Sequence, residues 1–436
     1  MSTITIERHE LESWRATCVS LLARVDRLIQ SAQAPSAPPT ESPVPLKFID
    51  LFCGIGGFHL ALKSLFPTAQ CVLACDIDAK CREVYKDNYG IEPKPDVTKL
   101  VASEIPDFDI LCGGFPCQAF SHAGRQGGFE DTRGTLFRDV ARILREKMPK
   151  YFILENVKNL KGHDGGRTWE VIHKSLVESG YTTYDEPIVL SPHQIGVPQH
   201  RERVFILGIR NDLVQGRALR PFPTPVVGQT DITTILEPDT VDTSGYKISE
   251  SDVKVLSLWE ELVQDFKRRG VKLPTFPMWS DCWDTTDENA EDPDWKKKFI
   301  HQNREFYRAH LTFLRPWLEK ARRLAAFTGA RRKFEWQCGE FRGADSLWTL
   351  LFQFRPSGIR VKRATYSPAL VAMAQIVNVG AKKRKLTPRE CARLQSFPDT
   401  FKLPTSDSVA YKQFGNSVNV AVIKHMVDFM MKSMLV

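Results

Sequence analysis

The chain has 436 residues, of which 42% are hydrophobic and 26% are charged, and its formal net charge is +8. This length exceeds what one hydrophobic core usually supports, so we expect two folded units with extensions. No apolar run reaches membrane-spanning length, and the N-terminus lacks the short apolar core of a signal peptide. The composition therefore predicts a cytoplasmic protein without a membrane partner.

The ten cysteines include no Cys-x-x-Cys pair and no paired Cys/His spacing of a zinc site. Reduced thiols, one of them catalytic, fit this pattern better than disulfides do. We therefore expect no metal site.

Positive charge is concentrated in residues 296–385, which hold 21 Lys and Arg against 5 Asp and Glu, a local balance of +16. Aromatic residues are interleaved with these cations. An ordinary aromatic core under a solvated surface would account for most of these residues one by one. The segment as a whole favours a polyanionic partner, with nucleic acid the first candidate.

The N-terminal residues 1–32 show apolar positions close to a 3.6-residue period, which predicts an amphipathic helix. Residues 33–46 form a proline-rich linker that cannot continue a helix. The helix would dock on a partner, on a second copy of the chain or on the folded core. The sequence leaves these alternatives, and the oligomeric state, open.

The folded core begins with KFIDLFCGIGG, a strand that runs into a turn containing Gly54, Gly56 and Gly57. Such glycines allow close approach of a ligand to the backbone and to the N-terminus of the following helix. A second strand ends at Asp76, at the distance where an acid commonly binds ribose hydroxyls. These features predict a nucleotide-type site but do not separate NAD, FAD and S-adenosylmethionine.

The stretch DILCGGFPCQAFS, residues 109–121, delivers Cys117 into a loop directly after an apolar strand. The alternative is a buried free thiol, the usual fate of an unpaired cysteine. Gly113, Gly114 and Pro116 argue against it, because a core strand rarely carries so much backbone irregularity. We therefore predict a reactive thiol, followed by a glycine-rich mobile loop over residues 121–133.

Two further strands carry polar residues at positions suited to chemistry. KYFILENV brings Glu155 and Asn156 to the carboxyl edge of the predicted sheet. Gln199, Arg201 and Arg203 precede an apolar strand, although a Q-x-R-x-R turn can also be a solvated basic bend.

The periodic pattern of strands and helices stops near residue 212, and we expect residues 212–385 to be irregular. Thr387, Pro388 and Glu390 then give a helix-start signature with an N-cap, a proline and an acid. A last amphipathic helix is predicted to open at Gly415 and Asn416.

Taken together, these blocks resemble the DNA cytosine-5 methyltransferases of bacterial restriction-modification type. The family's Pro-Cys-Gln core stands here as Pro116, Cys117 and Gln118, and the matched blocks cover residues 47–210 and 386–436 in the family's order. The resemblance implies an α/β, Rossmann-like S-adenosylmethionine-dependent methyltransferase fold with an inserted smaller target-recognition domain. It implies a catalytic domain formed by 47–211 and 386–436, with 212–385 as the recognition domain.

The resemblance also assigns a cofactor site. Phe52 would stack on the adenine, Asp76 would bind the ribose where relatives usually have glutamate, and Asp96 would reach the adenine amino group. Asp96 has the alternative role of a helix N-cap. The residues expected to bind S-adenosylmethionine are Phe52, Gly54, Gly56, Gly57, Asp76, Ile77, Asp96, Asn416 and Val418.

By the same resemblance, Cys117 attacks the target cytosine, Glu155 binds its ring nitrogen and amino group, and Arg203 with Arg201 holds its oxygen. Ala369 stands where relatives usually have a threonine, so it lacks the hydroxyl that would bond to the flipped nucleotide. The residues expected to bind substrate are Pro116, Gln118, Ser121, Asn156 and Gln199.

The partner implied is duplex DNA in a prokaryotic cytoplasm, at the nucleoid, with a separately acting restriction endonuclease as an open question. Three alternatives remain from the sequence. They are an RNA cytosine-5 methyltransferase of the same fold, a catalytically silent DNA-binding regulator, and an NAD-dependent oxidoreductase that explains only the glycine turn.

Overall fold

The computed structural model describes residues 45–116, 135–223, 225, 228–286, 291–343, 345–371 and 375–435. The predicted helix over 1–32, nearly all of the linker 33–46 and the predicted loop 121–133 lie outside these residues. Cys117, Gln118 and Ser121 also lie outside them.

Within the described residues, seven strands form a large sheet in the order β2-β1-β3-β4-β8-β5, with β6 also paired to β8. Strands β1 to β4 are parallel, whereas β8 runs antiparallel to β4, β5 and β6. The strands are β1 Lys47–Leu51, β2 Gln70–Cys75, β3 Ile110–Gly113, β4 Tyr151–Val157, β5 Tyr181–Thr183, β6 Ile188–Leu190 and, after the short β7 Gln199–His200, β8 Arg203–Arg210.

Helices cover this sheet on both faces, as the near-continuous apolar runs of its strands require. Alternate residues of one strand belong to different cores: Phe48 joins one hydrophobic cluster and Ile49 the other. The predicted α/β fold is therefore confirmed. The helices of this part are α1 Gly57–Leu65, α2 Ala79–Tyr89, α3 Thr135–Lys147, α4 Arg167–Glu178 and the short α5 Asn211–Val214.

The expectation that residues 212–385 are irregular is wrong. Among the described residues of this segment, three long helices pack beside a small sheet in the order β15-β14-β11-β12-β10-β9. Aromatic side chains fill its core, among them Trp259, Trp317 and Trp336. The elements are α6 Glu250–Arg268, β9 Met278–Trp279, α7 Asp294–Ala309, α8 Leu311–Arg322, β10 Lys333–Trp336, β11 Leu351–Arg355, β12 Gly358–Lys362, β13 Ser367–Pro368, β14 Asn378–Val379 and β15 Arg384–Lys385.

A two-stranded parallel ladder connects the two parts of the chain. Ser367 and Pro368 of β13 pair with Gln199 and His200 of β7. The chain just before Arg201 is thus hydrogen-bonded to the chain that leaves the small sheet.

Three helices close the chain: α9 Pro388–Leu394, α10 Asp407–Asn416 and α11 Val420–Lys432. The predicted start of α9 is confirmed, because Thr387 and Glu390 form a reciprocal capping box. The prediction that a helix opens at Gly415 and Asn416 is wrong, since these residues end α10. Asn419 starts α11 instead, because its side chain accepts a hydrogen bond from the Val422 backbone.

No helix in the described ranges combines the length and apolarity needed to cross a lipid bilayer.

Candidate active site

A cavity of about 580 Å³ opens at the carboxyl ends of β1 to β4. Open α/β sheets bind their ligands at this edge. The wall is contributed by short segments that lie far apart in sequence. They are residues 52–54, 57–58, 75–78, 81, 96–97, 114–116, 136, 155–157, 201, 203, 412–413 and 415–418.

Asp76 is held at one end of the cavity by two backbone amides. Its Oδ2 accepts a hydrogen bond from Gly54 N at 2.8 Å, and its Oδ1 accepts one from Asp78 N at 2.8 Å. Burial raises the pKa of the Asp76 carboxyl above its usual value. Each oxygen keeps a free lone pair, so Asp76 is oriented to accept from ligand hydroxyls.

The turn that contains Gly54, the hydrogen-bond partner of Asp76, has an unusual backbone conformation. Phe52 has φ of 55° and Gly54 has φ of 52°, both in the left-handed region. A non-glycine residue there is uncommon and clusters at functional sites. The Phe52 ring lies in the cavity wall.

Gly56 and Gly57 meet different neighbours. A Cβ on Gly57 would lie 2.5 Å from Val418 Cγ2, so the start of α1 and the segment after α10 approach closely. A Cβ on Gly56 would lie 2.2 Å from the Tyr89 ring. Gly57 and Val418 therefore line the cavity, whereas Gly56 packs against α2 and does not lie in the wall.

The outer rim of the cavity combines an apolar and a polar side. Ile77 is 82% exposed and presents an apolar side chain. Asp96 also lies in the wall, and its Oδ1 accepts from Thr98 N at 3.0 Å. Asp96 is therefore both an N-cap and a cavity residue, so its two predicted roles are compatible.

The opposite end of the cavity carries an acid and a guanidinium in contact. Arg203 Nε lies 3.0 Å from Glu155 Oε1, and both side chains are largely buried. A Cβ on Gly114 would lie 3.5 Å from Glu155 Oε2, so the Glu155 carboxylate faces the backbone of the segment before Cys117.

The Asn156 side chain holds the same segment, residues 114–116, by a hydrogen bond. Its Nδ2 donates to Phe115 O at 3.0 Å, and its Oδ1 accepts from Val157 N at 2.8 Å. The amide is 2% exposed. Asn156 therefore holds the backbone immediately before Pro116, which lies in the cavity wall.

Arg201 connects three separate segments of the chain. Its Nη1 donates to Leu370 O at 2.9 Å and its Nη2 to Ser417 O at 3.0 Å. Only 4% of Arg201 is exposed, and burial lowers its pKa to about 9. Because both terminal nitrogens are engaged with backbone carbonyls, the geometry suits a positioning residue.

Gln199 is fully buried on β7 and does not lie in the cavity wall. Neither amide atom of its side chain has a hydrogen-bond partner among the described residues. Within those same residues, no group of three His, Cys, Asp or Glu side chains could hold a metal ion.

The chain matches one protein family over nearly its whole folded part. Residues 46–432 match the family described as C-5 cytosine-specific DNA methylase. The chain belongs to this family. The methylase is therefore a DNA cytosine-5 methyltransferase, and its family implies a DNA substrate and S-adenosylmethionine as methyl donor.

Curated relatives are similar over most of their length. The methylase is 36% identical to Type II methyltransferase M.HhaI of Haemophilus parahaemolyticus, over 87% of this chain and 92% of that protein. It is 37% identical to Type II methyltransferase M.NlaX of Neisseria lactamica, over 88% and 96%. It is 32% identical to Type II methyltransferase M.AluI of Cellulosimicrobium cellulans, over 87% and 90%.

Solved structures share the fold at low identity. The Entamoeba histolytica methyltransferase EhMeth aligns with a TM-score of 0.53 at 14% identity, covering 89% of this chain and 98% of that chain. A DNMT2 variant of Spodoptera frugiperda aligns with a TM-score of 0.52 at 19% identity, covering 89% and 100%.

Sequence reasoning missed several cavity residues of the methylase. Lys412 Nζ lies 3.0 Å from Asp78 Oδ2 and so joins α10 to the cap of α2 at the rim. Cys75 and Cys81 also lie in the wall. The signal for these residues is weak, because none belongs to a local pattern and the Lys412 contact spans more than three hundred residues.

Proposed function

We propose that the methylase transfers a methyl group from S-adenosylmethionine to carbon 5 of cytosine within a specific duplex DNA sequence. The observation that carries this proposal is the Glu155–Arg203 pair at one end of a cavity whose other end holds Asp76 and Phe52. A pyrimidine and a nucleoside-type donor would then share one cavity. The segment that leads into Cys117 lies in the wall and follows β3, which is between β1 and β4 in the sheet.

The residues around Asp76 suit an adenosyl group. The Phe52 ring offers a face for stacking, Asp76 offers acceptors for ribose hydroxyls, and Asp96 offers an acceptor for an amino group. Val418 and Ile77 add apolar surface. When bound there, S-adenosylmethionine supplies an electrophilic methyl group on a sulfonium.

Cytosine carbon 5 is a poor nucleophile, so a covalent step must precede methylation. In our proposal the Cys117 thiolate adds to carbon 6, and the electron pair of the ring double bond moves toward carbon 5. Carbon 5 then takes the methyl group, and the bond between that methyl carbon and the sulfonium sulfur breaks, which leaves the donor as a neutral thioether. A base removes the proton from carbon 5, the bond between sulfur and carbon 6 breaks, and Cys117 leaves as a thiolate.

Glu155 and Arg203 would act on the polar edge of the base. Glu155 would hydrogen-bond the ring nitrogen and the amino group, and Arg203 would hold the ring oxygen as charge builds up. Asn156 would keep the Phe115–Pro116 backbone in register with this pair. Arg201 would hold the backbone at Leu370 and Ser417 in place rather than contact the base.

A cytosine inside a duplex cannot reach Glu155, so the target nucleotide would be rotated out of the helix. We further propose that residues 47–211 and 386–436 form the catalytic domain and that 212–385 form a target-recognition domain. The three helices, the small sheet and the separate aromatic core of 250–362 support this division. A restriction endonuclease that cleaves the same sequence would act as a separate protein.

The test is methyl transfer from labelled S-adenosylmethionine to duplex DNA and, in parallel, to tRNA. We expect label in duplex DNA, with bisulfite sequencing placing 5-methylcytosine at one short sequence. Cys117→Ser should abolish transfer while cofactor binding persists. Label in tRNA alone would contradict the proposed substrate, and transfer by Cys117→Ser would contradict the nucleophile.

A further inference from the structure

One face of the small sheet carries cations in place of a core. Ile359 and Val361 of β12 point into the aromatic core, so Arg360 and Lys362 point to the opposite face. On β10, Phe334 and Trp336 likewise face the core, and Glu335 faces the other way. The strand register places Arg360 directly beside Glu335.

This face holds more positive than negative charge. Arg360 Nε donates to Glu335 Oε2 at 3.1 Å, and Arg355 Nη2 donates to the same oxygen. Two guanidinium groups therefore share one carboxylate. Within the described part of the chain, Lys362 has no carboxylate within ion-pair distance.

The cations are recessed. Arg355 exposes 16% of its side chain and Arg360 exposes 29%. Burial, with Arg360 as the next cause, lowers the pKa of both Arg355 and Lys362. Like charges crowded into a partly desolvated groove are relieved by an anion, and recessed charges lose less of that attraction to salt screening.

Aromatic rings connect Lys362 with the segment that precedes Arg201. Lys362 Nζ lies 5.8 Å from the centre of the Tyr366 ring, and that ring stacks on His200 at 5.8 Å. The His193 ring lies 5.3 Å from Tyr366. His200 directly precedes Arg201, a residue of the cavity wall, and β7 is paired with β13.

We propose that Arg355, Arg360, Lys362 and Tyr366 form a phosphate-binding groove that holds the DNA backbone beside the cavity. This proposal rests on the proposed function, since it assumes that duplex DNA is the substrate. A polyanion fits the groove because Arg355, Arg360 and Lys362 face a single carboxylate, Glu335, which leaves an excess of positive charge. DNA binding by residues 296–385 then depends on these side chains and not on the exposed lysines and arginines of α7 and α8.

The test compares two variants that remove equal charge. Arg360→Gln/Lys362→Gln changes the groove, whereas Lys298→Gln/Arg315→Gln changes exposed residues of α7 and α8. The affinity for a duplex carrying the methylated sequence is measured by fluorescence anisotropy over a series of salt concentrations. Each phosphate contact that is lost reduces the slope of log affinity against log salt by about 0.9.

We expect the groove variant to lose about 1.8 of this slope, as two lost phosphate contacts require, and the α7/α8 variant to keep it. Equal slopes in the wild type and the groove variant would overturn the proposal, as would an equal loss in both variants. A wild type that fails to bind duplex DNA contradicts the proposed function itself. If tRNA binding shows the slope change and duplex binding does not, the groove serves RNA and our assignment is wrong.

A single substitution at Lys362 separates the loss of charge from a loss of folding. Lys362→Gln removes a charge without leaving a carboxylate unpaired, and Lys362→Arg restores the charge. We expect Lys362→Gln to lower the slope by about 0.9 at an unchanged melting temperature and Lys362→Arg to recover it. A slope that does not respond to the charge at residue 362 would refute the groove.

Discussion

Arg203 Nε lies 3.0 Å from Glu155 Oε1, and the two side chains expose only 20% and 12% of their surface. The contact joins the first residue of β8 to β4, across a pairing in which the strands run antiparallel. Each group orients the other at the end of the cavity. An acid and a guanidinium arranged in this way present complementary hydrogen bonds to the polar edge of a pyrimidine.

The first prediction concerns this pair. Glu155→Gln should lower the rate of methyl transfer about 100-fold to 10,000-fold, the range typical of an acid or base that acts on the reacting group. Its matched control is Glu202→Gln, which removes the same charge from a surface pair with Lys158. Single-turnover rates with bound cofactor measure the effect. Wild-type turnover in Glu155→Gln would remove Glu155 from the chemistry.

The second prediction concerns Arg201. Lysine keeps the charge but cannot span the carbonyls of Leu370 and Ser417, so Arg201→Lys should lower the free energy of unfolding by about 1.5–3 kcal/mol. Urea denaturation measures the loss. We also expect weaker binding of both substrates, because two cavity segments lose their common support. Unchanged stability would mean that the two carbonyls are satisfied without this side chain.

The third prediction separates two glycines of one turn. Gly54 and Gly56 both have positive φ, but a Cβ on Gly54 meets nothing within 4 Å, whereas one on Gly56 lies 2.2 Å from the Tyr89 ring. Gly54→Ala should cost about 1–2 kcal/mol from backbone strain alone. Gly56→Ala should cost more, because the Tyr89 ring must also shift. Thermal unfolding of the two variants measures this difference, and equal losses would contradict the packing argument.

The fourth prediction is a pH dependence that comes from Asp50. This carboxyl is fully buried on β1, and burial raises its pKa well above the usual value. Since its folded pKa exceeds its unfolded pKa, Asp50 stabilises the fold at low pH, and this contribution is lost as pH rises through the folded pKa. Asp50→Asn should therefore gain stability relative to the wild type as pH increases.

Asp284 provides the control of opposite sign. The Arg322 guanidinium lowers the pKa of Asp284, so this acid stabilises the fold above its unfolded pKa and loses that contribution as pH falls through the folded pKa. Asp284→Asn should cost most at neutral pH and least in acid. Chemical denaturation across a series of buffers measures both trends. Parallel trends in the two variants would contradict the assignment for Asp50.

Local patterns explain what the sequence predicted well. The capping box of Thr387 and Glu390 is a four-residue rule, and the structure contains it. The glycine turn and Asp76 belong to one strand-helix-strand unit, so their spacing is enough to predict that they share a site, and in the structure Gly54 N donates to Asp76. Such features depend on neighbours in the chain and need no knowledge of tertiary packing.

Long-range packing explains what the sequence did not predict. The partners of Arg201 lie 169 and 216 residues further along the chain, so no local spacing separates a base contact from a structural link. The helices of 250–322 are not predicted, because composition alone does not distinguish a basic, aromatic binding segment from a packed core. In the structure, Trp259 and Trp317 pack against each other at a tilt inside a core instead. The break between α10 and α11 also depends on the Asn419 cap rather than on Gly415.

The central claim is that Cys117 forms a bond to carbon 6 of an extruded cytosine. Its most direct test uses duplex DNA in which the target cytosine carries fluorine at carbon 5, because fluorine cannot leave as a proton does and the covalent complex persists. With S-adenosylmethionine present, we expect a denaturant-stable adduct whose peptide mapping places the DNA on Cys117, and no adduct with Cys117→Ser. Absence of the adduct, or an adduct on a different residue, would contradict the account.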